Sequence, residues 1–270
     1  MLIEAIVYGL FGLIVGSFLN VVILRHGART LGGRSGCMAC GRQLRWYDMI
    51  PVLSWIFLGG KCRSCRARIS VQYPLVEALT TLLFIAVGLA PISLLVKILG
   101  FGIAALLVVI AVYDIRHTII PDEWAYAFAA LAFIVSLVEI MNGGGETNVT
   151  LILLAGPLAA FPLFALWAVS HGRWMGLGDP KLALGIGWLL GPFMGLYAVF
   201  LAFVIGAVIS VFVILPIDHL RHVASGITRL GAPRPGLTMK SEVPFGPFLI
   251  ASCCLVWYAS VYGLPLPLFI

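Results

Sequence analysis

Charged side chains are scarce in this sequence. Asp, Glu, Lys and Arg together make up 10% of the 270 residues, whereas soluble globular domains carry about 25%. Hydrophobic residues make up 61%, so there are too few polar side chains to cover a surface in water. This composition excludes an ordinary cytosolic enzyme, a disordered chain and a fibrous repeat. A single α-helical domain embedded in a membrane fits it.

Apolar runs that approach the length of a membrane span recur along the chain. A spanning helix needs about 20 mainly apolar residues. The sixth run, 181–192, is short, and we expect it either to borrow flanking residues or not to span fully. The sequence therefore predicts an all-α polytopic membrane protein with about eight transmembrane helices, which are 3–24, 75–92, 95–113, 123–141, 149–170, 181–192, 193–215 and 246–263.

Lys and Arg are distributed unevenly along the chain. Of the 17, nine lie between Arg25 and Arg68, and four more lie between Arg221 and Lys240. Three others fall in short connections on the same side of the membrane, and Lys97 alone falls on the opposite side. This asymmetry predicts that the basic loops face the cytoplasm. Membrane topology explains these charges better than nucleic acid does, so no nucleic-acid partner is predicted.

The sequence divides into three blocks. We predict an N-terminal transmembrane helix (1–24), a cytoplasmic loop domain (25–74) and a membrane-embedded body (75–270). Glu4 is the only charged side chain before the first apolar run ends, so that run lacks the basic start of a cleaved signal peptide and should stay as an anchor. The polar stretch 216–243 is predicted to be a second cytoplasmic loop.

Four of the six cysteines form two CxxC pairs, Cys37 with Cys40 and Cys62 with Cys65. Four thiolates can close a tetrahedron around Zn²⁺, and the 21 residues between the pairs slightly exceed the usual spacer of about 15–20. A small loop with few aliphatic residues cannot build much of a hydrophobic core, so it also needs a stabilising cross-link such as a bound metal. Two alternatives stay open: unliganded thiols, or redox pairs as in a membrane thiol oxidoreductase. The reducing cytoplasm disfavours disulfides.

Two aspartates lie at the predicted cytoplasmic ends of different apolar runs. Asp114 ends the third run, and Asp179 lies in a Gly-Leu-Gly-Asp-Pro turn. Two carboxyl groups that meet across a bundle share a proton, so that one acts as a base toward water and the other as an acid toward the leaving group. That is the chemistry of an aspartic peptidase. Helix capping is the open alternative for Asp179, and Asp122, which follows Pro121, is predicted to cap a helix.

Gly176 and Gly178 flank this second aspartate. Glycines leave the backbone open, and a peptidase has to reach the amides of an extended substrate. We therefore expect the two glycines to support a segment of substrate beside the acid. A four-letter GxGD motif is weak by itself.

Six stretches of the sequence stand in a recognisable order: Gly16–Ile23, the two cysteine pairs framing Trp46–Trp55, Tyr73–Glu77, Asp114–Asp122, Gly176–Lys181 and Pro244–Phe248. They resemble the motifs of the type IV prepilin peptidases, a family of membrane aspartic proteases. The similarity covers nearly the whole chain, and each motif stands in the family's order.

The resemblance implies a function for each motif. Asp114 and Asp179 would be the catalytic pair, and the four cysteines would bind Zn²⁺. The substrate would be a prepilin or pseudopilin in the lipid bilayer, cleaved after a glycine at the cytoplasmic face of the bacterial inner membrane. Members with this cysteine loop usually also methylate the new N-terminus with S-adenosylmethionine.

Other functions stay open at this stage. Within the family, the alternative is a peptidase without methylation. Outside it, the alternatives are the thiol oxidoreductase and a non-enzymatic binding or transport protein. The sequence does not predict an oligomeric state.

Overall fold

The computed structural model describes residues 1–27, 30, 32–143, 148–216 and 244–265. The predicted loop 216–243 therefore lies outside the described residues except for its first position. Beyond a 3₁₀ turn at Trp46–Asp48 and a π-helical turn at Ser210–Ile214 that continues α8, the described helices are α1 (Leu2–Arg25), α2 (Leu53–Phe57), α3 (Gln72–Leu89), α4 (Leu94–His117), α5 (Asp122–Met141), α6 (Val149–Ser170), α7 (Gly178–Leu190), α8 (Pro192–Ile209) and α9 (Gly246–Val261).

Six of the described helices are long and apolar enough to cross a membrane: α1, α3, α4, α5, α6 and α8 with its extension. Helix α9 is apolar but shorter. Helix α7 has 13 residues and extends about 20 Å, roughly two thirds of the hydrocarbon core. The chain is an all-α polytopic membrane protein, as predicted, and α7 is the short sixth run. The division into 1–24, 25–74 and 75–270 stays a prediction.

Helices α1 and α3 pack backbone against backbone. A Cβ atom added at Gly12 would lie 2.7 Å from Thr81 Cα, and one added at Gly16 would lie 2.8 Å from Glu77 Cα. Small residues spaced by four allow this approach in membranes, where close packing replaces the hydrophobic effect. The buried Asn20 amide adds a polar link, because it donates to the Tyr73 carbonyl at 3.2 Å.

Helix α7 lies at the centre of the bundle. It packs against α5, α6, α8 and α9, and eight of its residues are buried. A Cβ at Gly185 would lie 2.5 Å from the Phe128 ring of α5, and one at Gly187 would lie 2.2 Å from the Ala155 carbonyl oxygen of α6. Because neighbours enclose α7 on several sides, its first turn has a fixed position.

Several helix ends meet at one end of the bundle. His26, just after α1, contacts the Glu123 carboxylate at 3.5 Å and the Trp124 ring at 4.3 Å between centroids. Tyr113, near the end of α4, also stacks edge-on against Trp124. The loop that follows α1 therefore leaves the bundle at the same end as the C-terminus of α4 and the N-terminus of α5.

Replacing the glycine at the α6–α7 contact should destabilise the fold. Gly187→Ala places a methyl group against a helix backbone that cannot move away, which we expect to cost about 1–3 kcal/mol of unfolding free energy. Gly102→Ala is the matched control. Its Cβ would lie 3.4 Å from the flexible Leu131 side chain, and alanine favours the helix by up to about 1 kcal/mol. Thermal unfolding in one detergent compares the two, and equal midpoints would contradict the prediction.

Candidate active site and metal centre

The structure brings the two predicted acids together. Asp114 lies in the last turn of α4 and Asp179 in the first turn of α7, and their side chains are only 4% and 7% exposed. The two acids share Ile120 as a neighbour: its side chain lies 3.2 Å from a Cβ placed at Gly246, which bonds to Asp114, and 2.8 Å from a Cβ placed at Gly178, next to Asp179. Helix α9 packs against both α4 and α7 and so holds the two acid-bearing helices as one unit.

The N-terminus of α9 contacts the first of these acids directly. The Gly246 N–H donates to Asp114 Oδ2 at 3.1 Å. A Cβ at Gly246 would lie 2.6 Å from that same oxygen, so a side chain here would displace the carboxylate. Helix N-termini carry partial positive charge and favour an acid at this position. In the sequence, a glycine before Pro247 signals a helix start, but nothing local pairs it with Asp114.

Asp179 does not cap its helix. Helix α7 begins at Gly178, Leu177 is its N-cap residue, and no side chain makes a capping hydrogen bond. The capping alternative for Asp179 is therefore wrong. Asp179 is the second residue of α7, and it is buried among the neighbouring helices.

The two flanking glycines have different surroundings. Gly176 is exposed, and the nearest atom to an added Cβ would be 3.9 Å away. Gly178 is half-buried, and its Cβ would lie 2.8 Å from Ile120 Cβ. Ile120 also lies 3.2 Å from a Cβ placed at Gly246. Only Gly176 therefore leaves its backbone open, whereas Gly178 lets α7 approach the segment that follows Asp114.

Asp122 forms an ion pair between two helices rather than a cap. It begins α5, as predicted, but Pro121 is the N-cap residue and no side-chain capping bond is made. Its Oδ1 accepts from Lys181 Nζ at 2.7 Å, and that lysine lies 5.6 Å from the Tyr126 ring centroid. The pair ties the first turn of α5 to that of α7, two residues after Asp179. The sequence could not reveal it, since the partners lie in different helices.

The two cysteine hooks share one backbone geometry. The Cys37 N–H donates to the Arg42 carbonyl, and the Cys62 N–H donates to the Ala67 carbonyl, each at 2.9 Å. The residue after the second cysteine adopts a left-handed backbone in both, with φ of 69° at Gly41 and 59° at Arg66. Glycine suits this conformation, which makes the first hook recognisable from sequence and hides the second.

The sulfur atoms of the two hooks form one cluster. The Sγ atoms of Cys37, Cys40, Cys62 and Cys65 all lie within 4.8 Å of one another, and those of Cys37 and Cys65 are 3.8 Å apart. A tetrahedral thiolate site with metal–sulfur bonds of about 2.3 Å requires sulfurs about 3.8 Å apart. The donor set and its dimensions therefore fit a metal ion, and all four residues are free cysteines.

The thiols of this cluster do not ionise alike. Backbone N–H groups of Cys65 and Ser64 lower the pKa of Cys62 to about 6, and those of Cys40 and Ala39 lower the pKa of Cys37. At Cys65, a backbone hydrogen bond from Ala67 lowers the pKa, but burial and the neighbouring thiols outweigh it and raise the pKa to about 11. A metal that binds at neutral pH must release the remaining protons.

The arginines near the hooks have partners of their own. Arg42 of the first hook donates to the Ser64 hydroxyl of the second, and Arg63 pairs with Asp48 at 2.8 Å. These bonds join the two hooks to each other and to the 3₁₀ turn, so both arginines have a structural role in the loop.

Together these features define a class of protein. It is a multi-pass membrane protein with two buried carboxyl groups at one end of its bundle and a four-cysteine centre on its polar loop. Residues 10–90 match the bacterial peptidase A24 N-terminal domain, and residues 101–211 match the type IV leader peptidase family. The chain belongs to this family, which confirms the resemblance seen in the sequence, and its membrane helices together with its bacterial relatives fit a multi-pass protein of the inner membrane.

Known relatives match over most of their length. The prepilin leader peptidase/N-methyltransferase of Dichelobacter nodosus is 30% identical over 94% of this chain and 90% of its own. That of Bacillus subtilis (strain 168) is 35% identical over 73% of this chain and 78% of its own. That of Pseudomonas aeruginosa is 28% identical over 94% and 89%, respectively. No solved structure matches the chain.

Removing one thiol from the cluster should release a bound metal. We expect the purified protein to carry one metal ion per chain and Cys62→Ser to carry little, because a three-thiolate site binds far more weakly. Cys254→Ser is the matched control, as this half-buried cysteine lies in α9, away from the hooks. Elemental mass spectrometry with thiol titration measures both. Wild-type protein with two disulfides and no metal would contradict the prediction.

Proposed function

We propose that this protein cleaves the leader peptide from type IV prepilins and type II secretion pseudopilins and then methylates the new N-terminus. The observation that carries the proposal is the meeting of Asp114 and Asp179 at one end of the bundle of a leader peptidase family member. The relatives' names carry both activities. A thiol oxidoreductase is not favoured, since the cysteines gather as one cluster rather than as two separate pairs.

The paired acids suit peptide hydrolysis. We assign the shared proton to Asp179, because Asp114 Oδ2 already accepts the Gly246 N–H and two adjacent carboxylates do not both ionise easily. Asp114 takes a proton from water, whose oxygen bonds to the scissile carbonyl carbon. Asp179 gives its proton to the departing amine as the C–N bond breaks, and the proton taken from water restores the pair. The exposed backbone at Gly176 is where an extended substrate can lie beside the acids.

The metal in this proposal is Zn²⁺, held by Cys37, Cys40, Cys62 and Cys65. Four thiolates leave no open coordination position, so such a site stabilises a fold rather than activating water. S-adenosylmethionine is the proposed methyl donor, and no residue is assigned to it. The basic loop and the acid pair would both face the cytoplasm, which the positive-inside asymmetry and the shared bundle end of α1 and α4 support.

Removing either ionisable acid should abolish cleavage. Asp114→Asn and Asp179→Asn keep the side-chain shape but cannot exchange a proton with water, so we expect processing to fall by about a thousand-fold or more. Glu139→Gln is the matched control, a half-buried carboxyl group in the outer half of α5. Each variant is co-expressed with a candidate prepilin, and pilin size and N-terminal sequence are determined.

The same assay tests methylation. The intact mass of wild-type product should exceed that of the unmodified cleaved chain by one CH₂ unit, because a methyl group replaces one N–H hydrogen.

The outcomes decide between the readings. Cleavage by Asp179→Asn would overturn the two-acid mechanism. Cleaved but unmethylated product from the wild type would favour a peptidase alone.

The ion pair between α5 and α7 should position the second acid. Lys181→Met and Asp122→Asn should each lower kcat by about ten-fold with little change in KM, because a small displacement of Asp179 affects the reaction more than binding. The double variant should be no worse than either single one, since both remove the same interaction. Lys97→Met is the control, as Lys97 bonds to the Gly88 carbonyl at the opposite end. Additive losses would show that the two side chains act separately.

A further inference from the structure

The cysteine loop carries large apolar side chains on its outside. Phe57 is 84% exposed, Ile56 59% and Leu53 52%, and Met49 and Ile50 are also exposed. We refer to these five residues as the loop patch. Contiguous exposed apolar residues of this kind mark an interaction surface, and neither the acid pair nor the four-cysteine centre uses them.

The loop patch forms one face of an anchored helix. Leu53, Ile56 and Phe57 follow the i, i+3, i+4 spacing of a single helix face. The opposite face is held inward by Trp55, whose Nε1 donates to the Ile69 carbonyl at 3.3 Å. The same ring lies 2.9 Å from a Cβ placed at Gly60. Helix α2 is thus held against the rest of the cysteine loop through Trp55, and its apolar outer face is exposed.

A hydrogen bond places α2 beside a membrane-crossing helix. The Val52 N–H, at the start of α2, donates to Glu77 Oε2 at 2.7 Å. Glu77 follows the start of α3 at Gln72 by five residues, which is about 7–8 Å along the helix axis. Helix α3 is one of the six that can cross the membrane. The start of α2 therefore lies level with the first turns of a spanning helix, where headgroups meet the hydrocarbon core.

The positive charge of the cysteine loop favours a negatively charged partner. Nine Lys and Arg lie between Arg25 and Arg68, against one acid, Asp48, and Arg63 already pairs with that acid. Basic side chains at a membrane surface attract anionic lipid headgroups. Among the described residues of the cysteine loop, the exposed cations are Arg34, Arg42, Arg45, Lys61, Arg63, Arg66 and Arg68.

We propose that the loop patch docks on the bilayer itself. Leu53, Ile56 and Phe57 insert among anionic phospholipid headgroups, and the basic side chains of the cysteine loop bind the lipid phosphates. Apolar side chains that enter the headgroup region, with cations in the same polar segment, bind anionic membranes in this way. The docked patch holds the four-cysteine centre against the membrane surface at the bundle end where the two acids lie.

Photocrosslinking tests this surface in the full-length protein. Phe57→p-benzoylphenylalanine protein is purified with its metal and reconstituted into liposomes of phosphatidylcholine and phosphatidylglycerol. After irradiation, intact mass spectrometry should show the protein with one added phospholipid. Met38→p-benzoylphenylalanine is the matched control, because Met38 is 79% exposed but lies outside the patch. Its lipid adduct should be about ten-fold weaker. Liposomes without phosphatidylglycerol should lower the Phe57 adduct about five-fold.

Three results would overturn the proposal. A product with the mass of two chains, or one with a co-reconstituted prepilin, would make the patch a protein-docking surface. Equal lipid adducts at positions 57 and 38 would show contact without a specific docking face. No adduct at 57, with metal content unchanged, would place the side chain in water. Ile56→p-benzoylphenylalanine is the second probe if the first variant loses its metal, and the same outcomes apply to it.

Discussion

Two carboxyl groups buried at the same end of an apolar bundle are the constraint on which the rest of this structure depends. An acid inside a membrane costs about 2.5–3.5 kcal/mol even on insertion scales, so such groups persist only with polar partners or a use. The chain places both at helix ends, where unpaired backbone groups offer compensation. The Gly246 N–H donates to Asp114, and Asp179 occupies the first turn of α7, at the positive end of that helix.

Helix α7 shows how the bundle meets this constraint. Its 13 residues are too few for a full span, and the side chain of Asp179 in its first turn is buried although Gly176 and Leu177 just before the helix are exposed. Close packing then replaces length. Gly178, Gly185 and Gly187 each bring α7 against a different neighbour, at distances that a Cβ would not allow. The Lys181–Asp122 pair adds a charged link at the same turn. Glycines weaken helices in soluble proteins, but in α7 they allow the close packing that fixes the position of Asp179.

The sequence predicted what depends on local pattern and missed what depends on pairing. Apolar run length gave the helices, including the short sixth one, and CxxC spacing gave a cysteine cluster. The partners of Asp114 and Asp122 could not be inferred, because Gly246 and Lys181 lie on other helices and no local signal joins them. The left-handed backbone at Arg66 was also hidden, since arginine does not signal it as Gly41 does. Gly178 was assigned to an open backbone, but its neighbour Ile120 makes it a packing residue.

The polar contacts between α1 and α3 make the cysteine loop an extension of the bundle rather than a separate appendage. The loop leaves α1 and returns to α3, and these helices touch at Gly12 and Gly16. The Asn20 amide joins α1 to the start of α3, where the loop returns, and the Val52–Glu77 hydrogen bond fixes the middle of the loop on α3. The His26–Glu123 contact then joins the residue after α1 to the first turn of α5. In that same turn Asp122 pairs with Lys181 of α7, so the polar loop and the helix that carries Asp179 are connected through side chains at one end of the bundle.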